Sequence, residues 1–357
     1  MWLIVGAGAI GATLAGRLAA AGQPVAITAR PAQLEVIARR GVTITEPGGG
    51  QWTAHPAVTA LAGSGDRARR LPGAPAARPA LAVICVKAHA TEEVAARLAA
   101  AFGPDLPVLS LQNGLGSEEI LARRFRSVAG GAVTFSARRL APGRVRVYSR
   151  GGAALPVALW DGRPTPPAVD DFAAALAGAG LRVRRPAASR DIKWSKLLLN
   201  LVGNGGVALT GLAPGAFYAD PDGFALERAV MREALAAAAA HRRRLVGLPG
   251  MPVPLIAWLV ARAPRRLAQP LLAARVGGGR GDKTPSLLAD LEAGAASSEA
   301  PWLYGAVARF ADEAGLAAPV NDKLAALLDR AFRGDPAVAR FRGRPDLLAR
   351  AVLPAAR

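Results

Sequence analysis

Short apolar runs alternate with amphipathic segments over the first half of the chain. LIV at 3–5, PVAITAR at 24–30, ALAVICVKA at 80–88 and PVLSLQNGLG at 107–116 have the length and composition of buried strands. Helix-like segments lie between them, and only the Gly- and Pro-rich stretch at 63–79 looks like a long inserted loop. Strands that alternate with helices predict right-handed βαβ units and a largely parallel sheet.

The pattern changes near residue 187. From there onward helical spacing dominates and strand-like runs almost disappear, which predicts a second, all-helical domain after the α/β domain. The predicted division has three parts: an α/β domain at 1–187, a helical domain at 188–335, and a basic, partly helical tail at 336–357.

Composition excludes several classes of protein. The chain is 52% hydrophobic, so it can bury large cores, yet no apolar run is long enough to cross a membrane. The first residues lack the basic leader of a signal peptide, and we expect a cytoplasmic protein. With one cysteine, Cys85, in an apolar run and three dispersed histidines, neither a disulfide nor a metal site is expected.

A formal net charge of +19 raises the question of nucleic-acid binding. The arginines are scattered, however, and no basic motif is interleaved with aromatic residues. Because Ala, Gly and Pro are also abundant, we attribute the arginines to a compositional bias and expect no nucleic-acid partner. The positive surface should still favour small anionic ligands.

A glycine-rich turn follows the first predicted strand and opens the first predicted helix. GxGxxG in that context is the dinucleotide-binding fingerprint: one glycine makes the turn, one admits the pyrophosphate, and one lets helix and strand pack closely. The helix directs its amides and positive dipole end at the phosphates. The turn comprises Gly6, Ala7, Gly8, Ala9, Ile10 and Gly11.

The end of the second strand indicates which dinucleotide binds. NAD enzymes usually carry an acidic residue there, for the ribose hydroxyls. This strand ends at Arg30 with no carboxylate, and a guanidinium suits a 2′-phosphate. The sequence therefore favours NADPH; the alternative is that Arg30 is an ordinary surface residue.

Taken together, four blocks resemble the ketopantoate reductase (2-dehydropantoate 2-reductase) family over about residues 1–330. They are the glycine turn ending in Arg30, VKAHAT (86–91), LQNGLG (111–116) and KLLLNLVGN (196–204), with a looser match at 283–307. The resemblance implies a Rossmann-type domain joined to a helical domain of the 6-phosphogluconate-dehydrogenase-like kind. It also implies reduction of a 2-oxo acid by NADPH in pantothenate and coenzyme A biosynthesis.

Lys196 is the candidate general acid. Asn200 and Asn204 follow four and eight residues later, so the three share one face of a predicted helix that is otherwise apolar. Leaving such groups buried and unpaired is costly, so they should face a polar cavity. The resemblance makes Lys196 the proton donor and both asparagines substrate contacts. A lysine at a helix start with capping amides, or Lys193 as donor, are the alternatives.

The resemblance assigns further residues to the site. Lys87 would lie at the cofactor and substrate cleft, beyond a strand's carboxyl end. Asn113 would lie near nicotinamide and substrate, and Ala137 would offer backbone to the cofactor. Ser286 would bind substrate, and Glu299 would reach the cofactor and the catalytic centre and keep Lys196 protonated. The alternatives are an exposed lysine, a turn asparagine, a helix-capping serine and a first-turn glutamate.

Some positions depart from the family pattern on its substrate side. Pro301 and Tyr304 replace an aspartate and an asparagine, Pro214 stands where another asparagine is expected, and Gly205-Gly206-Val207 replaces a Pro-Leu-Thr-like stretch. Hydride transfer is therefore better supported than the identity of the keto acid.

Three hypotheses follow. The first is a reductase of ketopantoate, the second a reductase of another small 2-oxo acid, and the third a non-catalytic NADP(H) sensor, which would need only the glycine turn. The expected partners are NADPH and a small anionic 2-oxo acid. No association with a membrane is expected, and the sequence leaves open whether the chain forms a homodimer.

Overall fold

The chain forms two compact units in a computed structural model that describes residues 1–61, 78–278, 284–295 and 297–354. Residues 63–77 of the predicted loop lie outside these ranges. The first unit comprises 1–112, 116–193 and 247–251, and the second comprises 113–115, 194–246 and 252–357. Among the described residues, no helix is both long and apolar enough to cross a membrane.

A six-stranded parallel sheet is the centre of the first unit. Its order is β5-β2-β1-β6-β7-β8, and β1 pairs with β2 and β6 over its full length. The strands β1, β2, β6 and β7 are fully buried runs of apolar and small residues, as expected for strands covered on both faces. The strands are β1 Trp2–Val5, β2 Val25–Thr28, β5 Ala57–Val58, β6 Leu81–Ile84, β7 Val108–Ser110 and β8 Val128–Gly130.

Two smaller sheets complete the strands of this unit. A four-stranded sheet has the order β10-β11-β3-β4, and a three-stranded sheet the order β13-β12-β9. Their strands are β3 Val42–Thr45, β4 Gln51–Ala54, β9 Ala132–Val133, β10 Ser136–Ala141, β11 Arg144–Ser149, β12 Gly152–Ala154 and β13 Arg182–Arg184.

Helices cover the parallel sheet. Leu14 and Leu18 of α1 are fully buried with Ile4 and Ile27 of the sheet, and this apolar layer fixes the glycine turn at the start of α1. The helices of the first unit are α1 Ala9–Ala20, α2 Pro31–Arg40, α3 Thr91–Phe102, α4 Ser117–Ala122 and α5 Pro167–Gly178, with a 3₁₀ turn at Ala88–Ala90.

The second unit is helical throughout the residues that the structure describes. Apart from residues 113–115, it begins within α6, between Lys193 and Trp194. Its helices are α6 Ser189–Leu201, α7 Gly205–Thr210, α8 Pro214–Ala219, α9 Pro221–Ala240, α10 Val253–Ala261, α11 Arg265–Gly278, α12 Ser286–Glu292, α13 Ala300–Glu313, α14 Pro319–Phe332 and α15 Pro345–Val352, with a 3₁₀ helix at Pro336–Phe341.

The architecture confirms the predicted fold class, an α/β Rossmann-type domain followed by an all-helical one. The structural division differs from the predicted one at the carboxyl end. Residues 336–354 are not a separate tail, because α15 packs against α7, α9 and α14, and Leu348 and Val352 are fully buried.

Candidate active site

The first and third glycines of the turn are required by packing within the first unit. Gly6 has a φ of +109°, and a Cβ there would lie 2.9 Å from the backbone nitrogen of Val86. A Cβ on Gly11 would lie 1.9 Å from the carbonyl oxygen of Gly6. Neither position can accept a side chain, because a Cβ would collide with Val86 at Gly6 and with the preceding turn at Gly11.

The second glycine has a different reason to be glycine. A Cβ on Gly8 would meet only the carbonyl oxygen of Cys85, at 3.9 Å, so the protein itself leaves room for one. Gly8 is the N-cap of α1, and no acidic residue stands in the first turn. Open space above helix amides at the positive end of a helix dipole fits the pyrophosphate of a dinucleotide.

Arg30 lies directly where the second strand of the sheet gives way to its helix. It is exposed, occupies the N-cap position of α2, and follows β2 by two residues. No carboxylate stands at the end of β2. Gln33, one turn later, donates from Nε2 to the carbonyl oxygen of Ala7 at 3.4 Å and so ties α2 to the glycine turn.

Lys87 stands on a loop that hydrogen bonds fix at the carboxyl ends of β6 and β7. Gln112 donates from Nε2 to the carbonyl oxygen of Val86 at 3.0 Å and to Oγ1 of Thr91 at 2.9 Å. Thr91 in turn donates to the carbonyl oxygen of Ala88. Lys87 itself is exposed and follows β6 by three residues, at the edge of the sheet where ligands of such folds bind.

Ala137 lies in β10, in the four-stranded sheet rather than the parallel one. Its side chain is 8% exposed, so only its backbone could meet a ligand. Because β10 is the edge strand of its sheet, one row of its backbone groups lies outside the ladder. The backbone role expected of Ala137 stays a prediction.

The second unit brings Asn113 to the asparagine-bearing face of α6. Lys196 and Asn200 are half-buried and one turn apart on this helix. Asn200 donates from Nδ2 to Oδ1 of Asn113 at 3.1 Å. The Oδ1 of Asn200 and the Nδ2 of Asn113 take no part in this bond. An ammonium and two ordered amides therefore share one patch of the unit.

Asn204 connects the end of α6 to the start of α12. Its Nδ2 donates to the carbonyl oxygen of Asn200 at 2.9 Å, and its Oδ1 accepts from the amide of Leu287 at 3.2 Å. Ser286, the first residue of α12, is half-buried next to that contact. It is not the helix cap, because Pro285 is. Asn204 thus links the last turn of α6 to the first turn of α12. This structural role is additional to any contact with substrate.

Glu299 is a buried carboxylate at the start of α13. It occupies the N-cap position without a side-chain capping bond, and Ser298 instead accepts from the amide of Ala300 at 2.8 Å. The loop that carries Asn113 contacts the first turn of α13, because the amide of Leu115 donates to the carbonyl oxygen of Trp302 at 2.9 Å. The second unit therefore places Glu299 and Asn113 at one helix terminus.

Lys193 lies in a buried environment with an ion-pair partner. Its side chain is 1% exposed, and Nζ lies 2.9 Å from Oε1 of Glu118, which is itself fully buried. Nζ also donates to the carbonyl oxygen of Gln112. An ammonium held in this way is not accessible to a substrate, so the geometry does not support Lys193 as the proton donor.

The departures at Tyr304 and Gly205 compensate for each other. The ring of Tyr304 lies where a side chain at 205 would stand, since a Cβ on Gly205 would be 2.6 Å from it. The Tyr304 hydroxyl accepts from the amide of Gly205 at 2.6 Å and lies 3.3 Å from the carbonyl oxygen of Leu201. Pro301 and Pro214 lie in first turns of α13 and α8, where proline is well tolerated.

No group of three or more His, Cys, Asp or Glu side chains suited to a metal ion occurs in the described parts of the chain. Cys85 lies beneath the glycine turn, and burial raises the pKa of its thiol to about 12. The thiol is therefore neutral at physiological pH and does not serve as a nucleophile.

Sequence reasoning missed Gln112, Thr91, Glu118 and the compensating pair of Tyr304 and Gly205. Gln112 and Thr91 lie inside the motifs LQNGLG and VKAHAT, so their place in these motifs could have marked them as site residues. The ion pair of Glu118 and Lys193 could not have been found in this way, because local spacing does not predict that residues so far apart in the chain will pair.

Comparison with known proteins identifies relatives for both units. Residues 2–158 match the family model described as ketopantoate reductase PanE/ApbA, and residues 188–331 match the model of its C-terminal region. The 2-dehydropantoate 2-reductase of Archaeoglobus fulgidus is 29% identical over 324 residues, covering 90% of this chain and 94% of that protein. A Mycobacterium tuberculosis protein of the same name is 34% identical over 231 residues, covering 64% and 68%.

Solved structures are similar to this chain over almost its whole length. A PanE/ApbA family ketopantoate reductase from Ralstonia eutropha has a TM-score of 0.72 and 26% identity, covering 94% of this chain and 99% of its own. D-mandelate dehydrogenase, solved with NADH and anilino(oxo)acetate, has a TM-score of 0.74 at 20% identity, covering 94% and 99%. The second similarity concerns the fold alone.

Proposed function

Since this chain belongs to the ketopantoate reductase family, we propose that it reduces ketopantoate to pantoate with NADPH, as a step in pantothenate and coenzyme A biosynthesis. The chain is an oxidoreductase of the 2-dehydropantoate 2-reductase type. The observation that supports the proposal most is the half-buried Lys196 on the helix face where Asn200 binds Asn113.

Reduction of a 2-oxo acid needs a hydride, a proton, and groups that hold the substrate in place. When bound, the nicotinamide supplies the hydride to the C2 carbonyl carbon. Lys196 donates a proton to the carbonyl oxygen as negative charge develops there, and the buried carboxylate of Glu299 favours the protonated form of the amine. Asn113, Asn200, Asn204 and Ser286 supply amide and hydroxyl groups for the substrate.

The residues of the first unit are assigned to the cofactor. The turn Gly6–Gly11 would hold the pyrophosphate at the amides of α1, and Arg30 would bind the 2′-phosphate. Lys87 would add a cation at the mouth of the same sheet edge. This assignment favours NADPH over NADH, and steady-state rates with the two coenzymes side by side test it; a preference for NADH would refute it.

Substitution of Lys196 tests the mechanism. Lys196→Ala should lower kcat/KM for ketopantoate by about 10²–10⁴-fold, because a positioned general acid contributes that much. NADPH oxidation measures the rate, and fluorescence titration should show NADPH binding unchanged. Lys323→Ala, which removes an exposed lysine from α14, is the matched control and should retain activity. Full activity in Lys196→Ala would contradict the assigned role.

A second candidate is reduction of another small 2-oxo acid. Tyr304 and Gly205 favour it, because together they change the packing directly after Asn204. A panel of 2-oxo acids distinguishes the candidates: the highest kcat/KM with ketopantoate supports the first and eliminates the second. NADPH binding without turnover of any member would leave the non-catalytic sensor.

A further inference from the structure

A lysine–glutamate ion pair is enclosed in the first unit, outside the residues assigned to substrate and cofactor. Lys193 comes from the first half of α6 and Glu118 from the first turn of α4. Their side chains are 1% and 0% exposed, and Nζ lies 2.9 Å from Oε1. The contact is ionic rather than a well-aligned hydrogen bond, since neither carboxylate oxygen of Glu118 has a hydrogen-bond partner among the described residues.

The neighbouring backbone is adapted to this pair. A Cβ on Gly130 would lie 2.8 Å from Cγ of Lys193 and 3.4 Å from Cγ of Glu118, so β8 ends in the one residue that leaves room. Ser189 accepts from the amide of Gly130 at 3.0 Å and donates to the carbonyl oxygen of Ala158, which fixes the start of α6. The site is thus built for a long side chain.

Stability does not explain the pair. Two well-packed apolar side chains of similar volume stabilise a core as well as a buried ion pair does, because both charges must lose their water. What an apolar pair cannot do is donate a hydrogen bond. Lys193 donates to the carbonyl oxygen of Gln112, and Glu118 lies on the same Nζ as its partner of opposite charge.

Gln112 is the residue immediately before Asn113. Its side chain is already fixed by Val86 and Thr91, and the bond from Lys193 fixes its carbonyl as well. Because the side chain and the carbonyl group of Gln112 are both held, the peptide bond between Gln112 and Asn113 is fixed in one orientation.

We propose that Lys193 and Glu118 form a positioning pair that orients Asn113 through the Gln112 carbonyl. The proposal rests on the proposed function, in which Asn113 contacts the substrate. Lys193 and Glu118 act through Asn113 and do not touch the reacting atoms.

A double-mutant cycle tests the proposal. Lys193→Met with Glu118→Leu removes the hydrogen bond and replaces both charges by apolar groups. We expect the melting temperature to stay close to that of the unaltered protein and kcat with ketopantoate to fall about 10- to 100-fold, since small misplacement of a contact costs that much.

The cycle adds Asn113→Ala. If the pair acts through Asn113, the losses are not additive, and the pair variant in the Asn113→Ala background lowers kcat little further. Additive losses, or undiminished kcat in the pair variant, would overturn the proposal. Arg309→Ala with Glu313→Ala, an exposed ion pair on α13, is the matched control and should have normal kcat. If the apolar pair does not fold, the near-isosteric Glu118→Gln enters the same cycle.

A crystal structure of the pair variant gives a second measurement that needs no turnover. We expect the Gln112 carbonyl to be displaced and the 3.1 Å bond between Asn200 and Asn113 to be broken. An unchanged loop would overturn the proposal. Absence of turnover of every 2-oxo acid by the unaltered protein would instead refute the proposed function, so the two failures are distinct.

Discussion

The three glycines of the turn differ in what requires them. Gly6 and Gly11 are fixed by the protein's own atoms, whereas space is open above Gly8. A motif that was one pattern in the sequence therefore separates into two positions that packing restricts to glycine and one that it does not. This separation is an independent argument for a bound dinucleotide, since the fold alone does not require Gly8.

Alanine substitutions should separate these roles. Gly11→Ala should destabilise the protein by about 3 kcal/mol, because the Cβ meets the carbonyl oxygen of Gly6. Gly8→Ala should change stability by less than about 1 kcal/mol but weaken NADPH binding by about tenfold or more, since a methyl group blocks the approach of the pyrophosphate. Urea unfolding and fluorescence titration provide the two measurements. Unimpaired NADPH binding by Gly8→Ala would argue against the turn as the pyrophosphate site.

Individual residues were predictable where their signal was local. The glycine turn before α1 and the helix that carries Lys196, Asn200 and Asn204 follow from patterns within a single element, whereas the roles assigned to these residues and to Arg30 stay predictions. The partners of Gln112 and Lys193 were not predictable, because the bond from Lys193 to the Gln112 carbonyl spans 81 residues of sequence. Asn113 illustrates both cases: its turn was expected, and its bond to Asn200 emerged only from the fold.

At the scale of elements, the junction of α6, α7 and α13 explains two of the departures on the substrate side, Tyr304 and Gly205. Tyr304 of α13 bridges the last turn of α6 and the first amide of α7, and Gly205 makes room for its ring. The family-like asparagines end where this junction begins. Tyr304 and Gly205 thus form one packing arrangement rather than two unrelated replacements.

Removal of the Tyr304 hydroxyl tests that arrangement. Tyr304→Phe keeps the ring but leaves the buried amide of Gly205 without its acceptor, so it should destabilise the protein by about 1–3 kcal/mol. Tyr148→Phe, on a half-buried tyrosine of β11, should have little effect and serves as control. Equal unfolding midpoints of Tyr304→Phe and the unaltered protein would show that the hydroxyl does not hold the junction.

At the scale of the whole chain, two compact units and their fold class were predictable, because strand and helix periods differ along the sequence. The boundary was expected at residue 187, whereas the structural division falls six residues later, inside α6. A break inside one continuous helix leaves no mark in the pattern of apolar residues. The carboxyl-terminal segment was misjudged because its arginines concealed an amphipathic helix: Leu348 and Val352 of α15 are fully buried.

Truncation tests the status of that segment. A chain ending at Gly334 loses the buried side chains of Phe341, Leu348 and Val352, each worth about 1.5–3 kcal/mol. It also loses the bond from the amide of Gly343 to the carbonyl oxygen of Thr210. We expect a markedly lower unfolding temperature, measured by calorimetry. A truncated chain as stable as the full one would mean that the segment is an independent tail.

Transfer of deuterium to the product tests the central claim most directly. The purified chain is incubated with ketopantoate and NADPH that carries deuterium at the transferable position of the nicotinamide, and the product is analysed by mass spectrometry. The account predicts pantoate with a single deuterium at C2, formed far more slowly by Lys196→Ala. Absence of pantoate, or pantoate without deuterium from either face of the coenzyme, would contradict it.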